Sequence, residues 1–103
     1  MKALKKVGVD LPEVYRVFET DIFLNDIEDL PKAIIGRLKL KIKNYVYPIL
    51  KQQPYYGKNI KKLVNYNPET WRYRIGDFRL FYAIDEKRKI ISILTISSRK
   101  DAY

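Results

Sequence analysis

Apolar and polar positions alternate with period two from Thr70 to Ile75 and again from Phe78 to Ile84, with the dipeptide Gly76-Asp77 between the two runs. Such alternation marks strands with one buried face, and a two-residue Gly-x linker predicts a type II′ hairpin turn in which glycine supplies the positive φ. The register follows from that loop. Ile75 faces Phe78, Arg74 faces Arg79, Tyr73 faces Leu80, Arg72 faces Phe81 and Trp71 faces Tyr82. One side of the hairpin then carries Trp71, Tyr73, Ile75, Phe78, Leu80, Tyr82 and Ile84 and belongs to a core. The other side presents Arg72, Arg74 and Arg79 together.

The rest of the pattern supplies the partners of that hairpin. Val14 to Glu19 is rich in β-branched and aromatic residues and predicts a short strand. Thr20 or Asp21 caps a helix on which Phe23, Ile27 and Leu30 recur at i, i+4 and i+7, and Pro31 ends it. Pro31 also suits the first position of a second helix, where its missing N–H costs nothing. There Ile34, Leu38, Ile42 and Tyr45 form the apolar stripe, and Lys32, Arg37, Lys39, Lys41 and Lys43 occupy much of the remaining surface. From Tyr47 to Pro68 the punctuation by Pro48, Pro54, Gly57 and Pro68 predicts an irregular loop. A turn at Glu86 to Lys89 leads into Ile90 to Ile96, so uniformly apolar that it predicts a central strand. The expected fold is a single α+β domain over residues 1–103, with residues 1–12 as a loosely ordered lead-in. It consists of an antiparallel sheet of about four strands with an N-terminal two-helix hairpin packed on one face.

Composition narrows the function. Hydrophobic residues make up 47% of the 103 positions, enough for one folded core and too many for a disordered chain. The formal net charge is +9, the balance of a nucleic-acid binder or of a protein kept with an acidic partner. Cysteine and histidine are absent, which excludes disulfides, Cys/His zinc sites and histidine acid–base catalysis. No metal or organic cofactor is expected. No apolar run approaches a transmembrane span, and the first twelve residues lack the apolar segment of a secretory signal, so a cytoplasmic location is expected.

Three guanidiniums on one strand face, two of them directly opposed, work against folding stability, because like charges opposite each other in a sheet repel. An anion accounts for them; the alternative is a solvated strand face whose arginines snorkel and keep the protein soluble. The planar fork of arginine donates two parallel hydrogen bonds to a phosphate and stays charged at any accessible pH. Arg99, near the end of the last strand, adds a fourth cation. The stretch between Tyr47 and Pro68 also carries Tyr55, Tyr56, Lys58, Lys61 and Lys62. Interleaved rings and ammonium groups suit unpaired RNA, and they suit equally a loop that covers the core edge with Leu63 and Val64 as anchors.

The order strand, helix, helix, three strands, together with WRYRIGDFRLFYAID and the terminal Ser98-Arg99-Lys100-Asp101-Ala102-Tyr103, resembles the RelE toxins of the RelE/ParE superfamily from about Tyr15 to Tyr103. The resemblance implies the toxin of a type II toxin-antitoxin system, a ribosome-dependent endoribonuclease that cuts messenger RNA by attack of a ribose 2′-OH on the adjacent phosphate. It implies a RelB-like acidic antitoxin, the ribosome and mRNA as partners, with no membrane involvement, and a toxin-antitoxin hetero-oligomer. By the same resemblance Arg79 and Arg99 stabilise the transition-state phosphate, Arg72 and Arg74 position the backbone, and Tyr103 stacks on the substrate base and carries a proton. Lys58, Lys61, Lys62 and Lys100 are the accompanying RNA-binding residues. Relatives often have lysine where this chain has Arg72 and Arg74, and arginine is no general base, which leaves Tyr103 or a lysine such as Lys58, Lys61 or Lys100 for that role. The superfamily holds one alternative of another class, a ParE-like inhibitor of DNA gyrase that is not a nuclease, and a catalytically weak RNA-binding relative is a third reading.

Overall fold

The computed structural model describes residues 13–98. The hairpin forms in the register expected: β3 (Trp71–Ile75) and β4 (Phe78–Asp85) pair Trp71 with Tyr82, Arg72 with Phe81, Tyr73 with Leu80, Arg74 with Arg79 and Ile75 with Phe78. Gly76 has φ +55°, a conformation that favours a residue without Cβ, and this lets a two-residue loop follow the twist of the strands. Tyr73, Ile75, Leu80 and Tyr82 are buried.

Around the hairpin stand β1 (Arg16–Glu19), β2 (Ile60–Lys62) and β5 (Ile90–Ser98), giving the sheet order β1-β5-β4-β3-β2. The expectation of about four antiparallel strands is therefore corrected. The sheet has five strands and is mixed, because β1 pairs with β5 in parallel, Arg16 with Ile90 through Glu19 with Ile93. Local sequence gives no sign of a pairing between segments so far apart. The fifth strand, β2, is three residues long and lies within the stretch expected to be irregular.

The helical layer is corrected as well. α1 (Asp21–Glu28) is short, and Thr20 caps it by accepting from the Phe23 N–H at 3.2 Å. Beyond Pro31 the chain forms one long helix and not the second arm of a simple hairpin: α2 (Lys32–Lys41), a π-helical turn (Ile42–Val46) and α3 (Tyr47–Gln52) run without a break. The stretch from Tyr47, expected to be an irregular loop, thus begins inside the helix, although Pro48 removes a backbone donor and crowds the carbonyl four residues back. The wider turn before it accommodates the ring, and the Tyr47 N–H donates to the Ile42 carbonyl five residues back. The inserted residue also turns the stripe. Leu38, Ile42, Val46, Tyr47 and Leu50 are buried, whereas Tyr45, expected to face inward, is 66% exposed.

These helices cover one face of the sheet. Phe23, Ile27, Leu38, Ile42, Val46, Tyr47 and Leu50 pack with Tyr73, Leu80, Tyr82, Ile91, Ile93 and Ile96 into one core. A β-bulge allows the last strand to contribute Ile93 and Ile96 to the same side. Phe81 pairs with Thr95 and Tyr82 with Ile93, so Leu94 is the extra residue and the parity of the strand changes there. Tyr82, a phenol with no exposure at the centre of this core, donates to the Pro54 carbonyl at 2.8 Å. Among the described residues, no helix is long and apolar enough to cross a membrane.

Candidate functional site

With one sheet face taken by the helices, strand alternation leaves the guanidiniums on the other. Arg74 and Arg79 are directly paired across β3 and β4, and Arg72 lies two residues from Arg74 on the same side. β2 extends the row, pairing Lys61 with Arg72. Arg72 and Arg79 are half-buried, and Arg74 and Lys61 are exposed. Burial, then the like charges of Arg79 and Arg74, push the Arg72 pKa below the ordinary guanidinium value. This site therefore holds positive charge at an electrostatic cost, one that an anion placed there would relieve. Partial burial raises the value of each ion contact, since charges interact more strongly where water is excluded.

On the β5 side the row continues with uncharged groups. Arg79 stands opposite Ser97, whose hydroxyl oxygen is sheltered from solvent and finds no hydrogen-bond partner among the described residues. Phe81 stands between Arg72 and Thr95, and the Thr95 hydroxyl donates to the Asp26 carboxylate of α1. Phe81 and Ser97 were not candidates from the sequence. The parity that gave Arg79 its side gives Phe81 the same side, so for Phe81 the signal was present. Ser97 required the bulge, which the sequence does not announce.

The lysines separate. Lys61 shares the guanidinium face, whereas its neighbour Lys62 turns to the other side, pairs with Glu69 at 3.2 Å and lies 5.9 Å from the centroid of the Trp71 ring. Lys58 is exposed in the turn before β2. Arg99, Lys100 and Tyr103 lie outside the described residues. The tyrosines of the same stretch also diverge. The Tyr55 ring meets the edge of Trp71 at 5.3 Å and its hydroxyl donates to Glu86 at 2.6 Å, so it closes the core edge, while Tyr56 is exposed. Val64 is exposed and anchors nothing.

A separate concavity of about 590 Å³ opens between β1, α1 and the long helix. Phe18, Phe23, Leu24, Ile27 and Ile42 give it apolar walls, and Lys39, Lys43 and Lys51 stand among its lining residues. Phe18 on the edge strand is 60% exposed. Among the described residues no cluster of acidic side chains could hold a metal ion.

Comparison with known proteins places this architecture. Residues 17–103 match the profile of the family described as ParE toxin of type II toxin-antitoxin system. The chain belongs to the RelE/ParE family of toxins. A curated relative from Methanocaldococcus jannaschii, named "Putative toxin RelE1", is 36% identical over 81 residues, covering 78% of this chain and 84% of the relative. Among solved structures, the toxin of the RelBE2 toxin-antitoxin complex from Mycobacterium tuberculosis superposes with a TM-score of 0.65 at 26% identity, over 82% of this chain and 98% of that one. In the archaeal RelE-RelB complex from Pyrococcus horikoshii OT3 the match has a TM-score of 0.61 at 29% identity, over 84% and 96%. A toxin component of a type II toxin-antitoxin system is therefore what carries the cationic face.

Proposed function

We propose that this toxin is a ribosome-dependent mRNA endoribonuclease whose active surface is the guanidinium face. The observation that supports this reading is the convergence of Arg72, Arg74 and Arg79, with Lys61 beside them, on the sheet face left open by the helices. The chemistry needs no metal. The ribose 2′-OH loses its proton and attacks the neighbouring phosphorus, the bond to the 5′ oxygen breaks, and that oxygen takes up a proton, leaving a cyclic phosphate and a 5′-hydroxyl. The negative charge that grows on the phosphorane oxygens is what Arg79 stabilises, with Arg99 adding to it, while Arg72 and Arg74 hold the backbone so that the attack is in line. Arginine keeps its proton, so proton transfer falls to Tyr103 or to a lysine of the same surface such as Lys61.

The partner in this reading is a RelB-like antitoxin, as in the RelB-RelE complexes to which the chain is similar. An acidic chain with apolar side chains suits both the charge of +9 and the lysine-flanked groove beside the exposed Phe18.

Cleavage of mRNA on programmed ribosomes, set beside the same RNA free in solution, tests the proposal. Cutting is expected only on ribosomes, and Arg79→Ala is expected to slow it by about 10²- to 10³-fold, the usual effect of removing one donor to a developing oxyanion. Absence of cutting by the intact, folded protein would overturn the nuclease reading. The family profile bears the ParE name, which favours a second reading as a gyrase inhibitor, and loss of gyrase supercoiling in the presence of the protein identifies that outcome.

A further inference from the structure

Phe81 has no role in the core. It is half-buried, yet the apolar side chains that form the core or pack against it among the described residues do not include it. Its neighbours on that side are those of the cationic face: Arg72 directly opposite on β3 and Arg79 two residues back on the same strand, with Thr95 its ladder partner on β5. A threonine or a further arginine would serve a solvated strand face at least as well. An aromatic ring there leaves apolar surface partly in contact with water and offers a flat face among phosphate-binding groups.

The spacing suits one nucleotide. Neighbouring strands lie about 5 Å apart and residues i and i+2 about 7 Å apart, so the ring lies one strand from Arg72 and one pleat repeat from Arg79. Those separations are on the scale that divides a base from its own phosphate. The bulge at Leu94 sits beside Phe81 in the ladder and keeps Thr95 opposite it, a local departure of the kind found next to functional sites.

We propose that Phe81 is a base-stacking platform, on which an unpaired RNA base lies while Arg72 and Arg79 hold the adjoining phosphates. This inference rests on the nuclease reading and adds to it a residue that binds the base and not the phosphate. Stacking tolerates any base, because every base has a π face, so Phe81 contributes affinity and orientation without strict sequence choice.

The test uses the full chain and ribosomes programmed with an mRNA that carries 2-aminopurine in the vacant codon and a 2′-O-methyl group at the position of attack, which blocks cutting. Stacking quenches 2-aminopurine fluorescence. The wild-type protein is expected to quench it on binding, and Phe81→Leu is expected to lose the quenching and bind about 5- to 150-fold more weakly. Phe81→Trp is expected to restore both. Because Phe81 lies off the core, Phe81→Leu is expected to melt as the wild type does, and its loss of quenching then reports on the ligand. Unchanged quenching and affinity in Phe81→Leu, or tight binding of the wild type without any quenching, would overturn the inference alone. No binding by the wild type would overturn the nuclease reading and this inference together.

Discussion

Arg74 and Arg79 face each other across a hairpin whose opposite side is fully committed to the core, so neither can turn away without breaking the register. Repulsion between like charges in that position is of the order of 0.2–1 kcal/mol. Removing the exposed partner should therefore stabilise the fold. Arg74→Thr, which also favours a strand, is expected to raise the unfolding free energy by an amount in that range, read as a higher urea midpoint at unchanged slope, and to weaken RNA cleavage in the same protein. An unchanged or lower midpoint would mean that Arg74 makes compensating contacts in the free protein. The facing of Arg74 and Arg79 was legible in the sequence, since alternation and a two-residue loop fix both register and face. The half-burial of Arg72 was not legible, because it depends on the strands that flank the hairpin.

Thr20 joins two elements through one hydroxyl. Its oxygen accepts from the Phe23 N–H at the start of α1 and donates to the Ile93 carbonyl of β5 at 2.6 Å. The Ile93 carbonyl also accepts from the Thr20 N–H at 3.2 Å. Thr20→Ala removes both side-chain bonds, and the expected loss is about 1–2 kcal/mol, with Thr20→Ser retaining most of it, measured by urea unfolding. A loss well under 0.5 kcal/mol would show that the backbone bond alone holds the junction. At this scale the sequence was informative wherever one residue dictates a local conformation: Thr20 as a cap, Gly76 in a turn. It misled where several residues share the outcome. Pro48 reads as a helix stop because its ring forbids a regular α-turn, and only burial of Val46, Tyr47 and Leu50 on either side of it makes a π-turn the better arrangement. Ile60 to Lys62 carries too few residues for a visible alternation, so β2 emerges only from its pairing with β3.

Over the whole molecule, the parallel pair β1-β5 and the long helix are tied by Tyr47, whose hydroxyl donates to the Glu19 carboxylate at 2.7 Å. Burial, the hydrogen bond to Glu19 and the Glu19 charge raise the Tyr47 pKa well above the ordinary phenol value near 10, and burial does the same for Tyr82. The linkage has a definite sign. Both phenols bind their protons more tightly in the folded state, so their contribution is complete below about pH 10 and is lost as the pH rises from there toward the folded pKa values, where the unfolded chain ionises first. Variants of each phenol isolate this contribution from the rest of the pH profile. Thermal melting of the wild type is expected to fall steeply above about pH 10, whereas Tyr47→Phe, starting from a lower stability because Glu19 loses its donor, is expected to fall less steeply. Tyr82→Phe should behave in the same way, with a larger initial loss, since the Pro54 carbonyl it leaves unpaired lies against the core. Parallel curves for the wild type and both variants would show that neither phenol sets the alkaline transition and would overturn their linkage to stability.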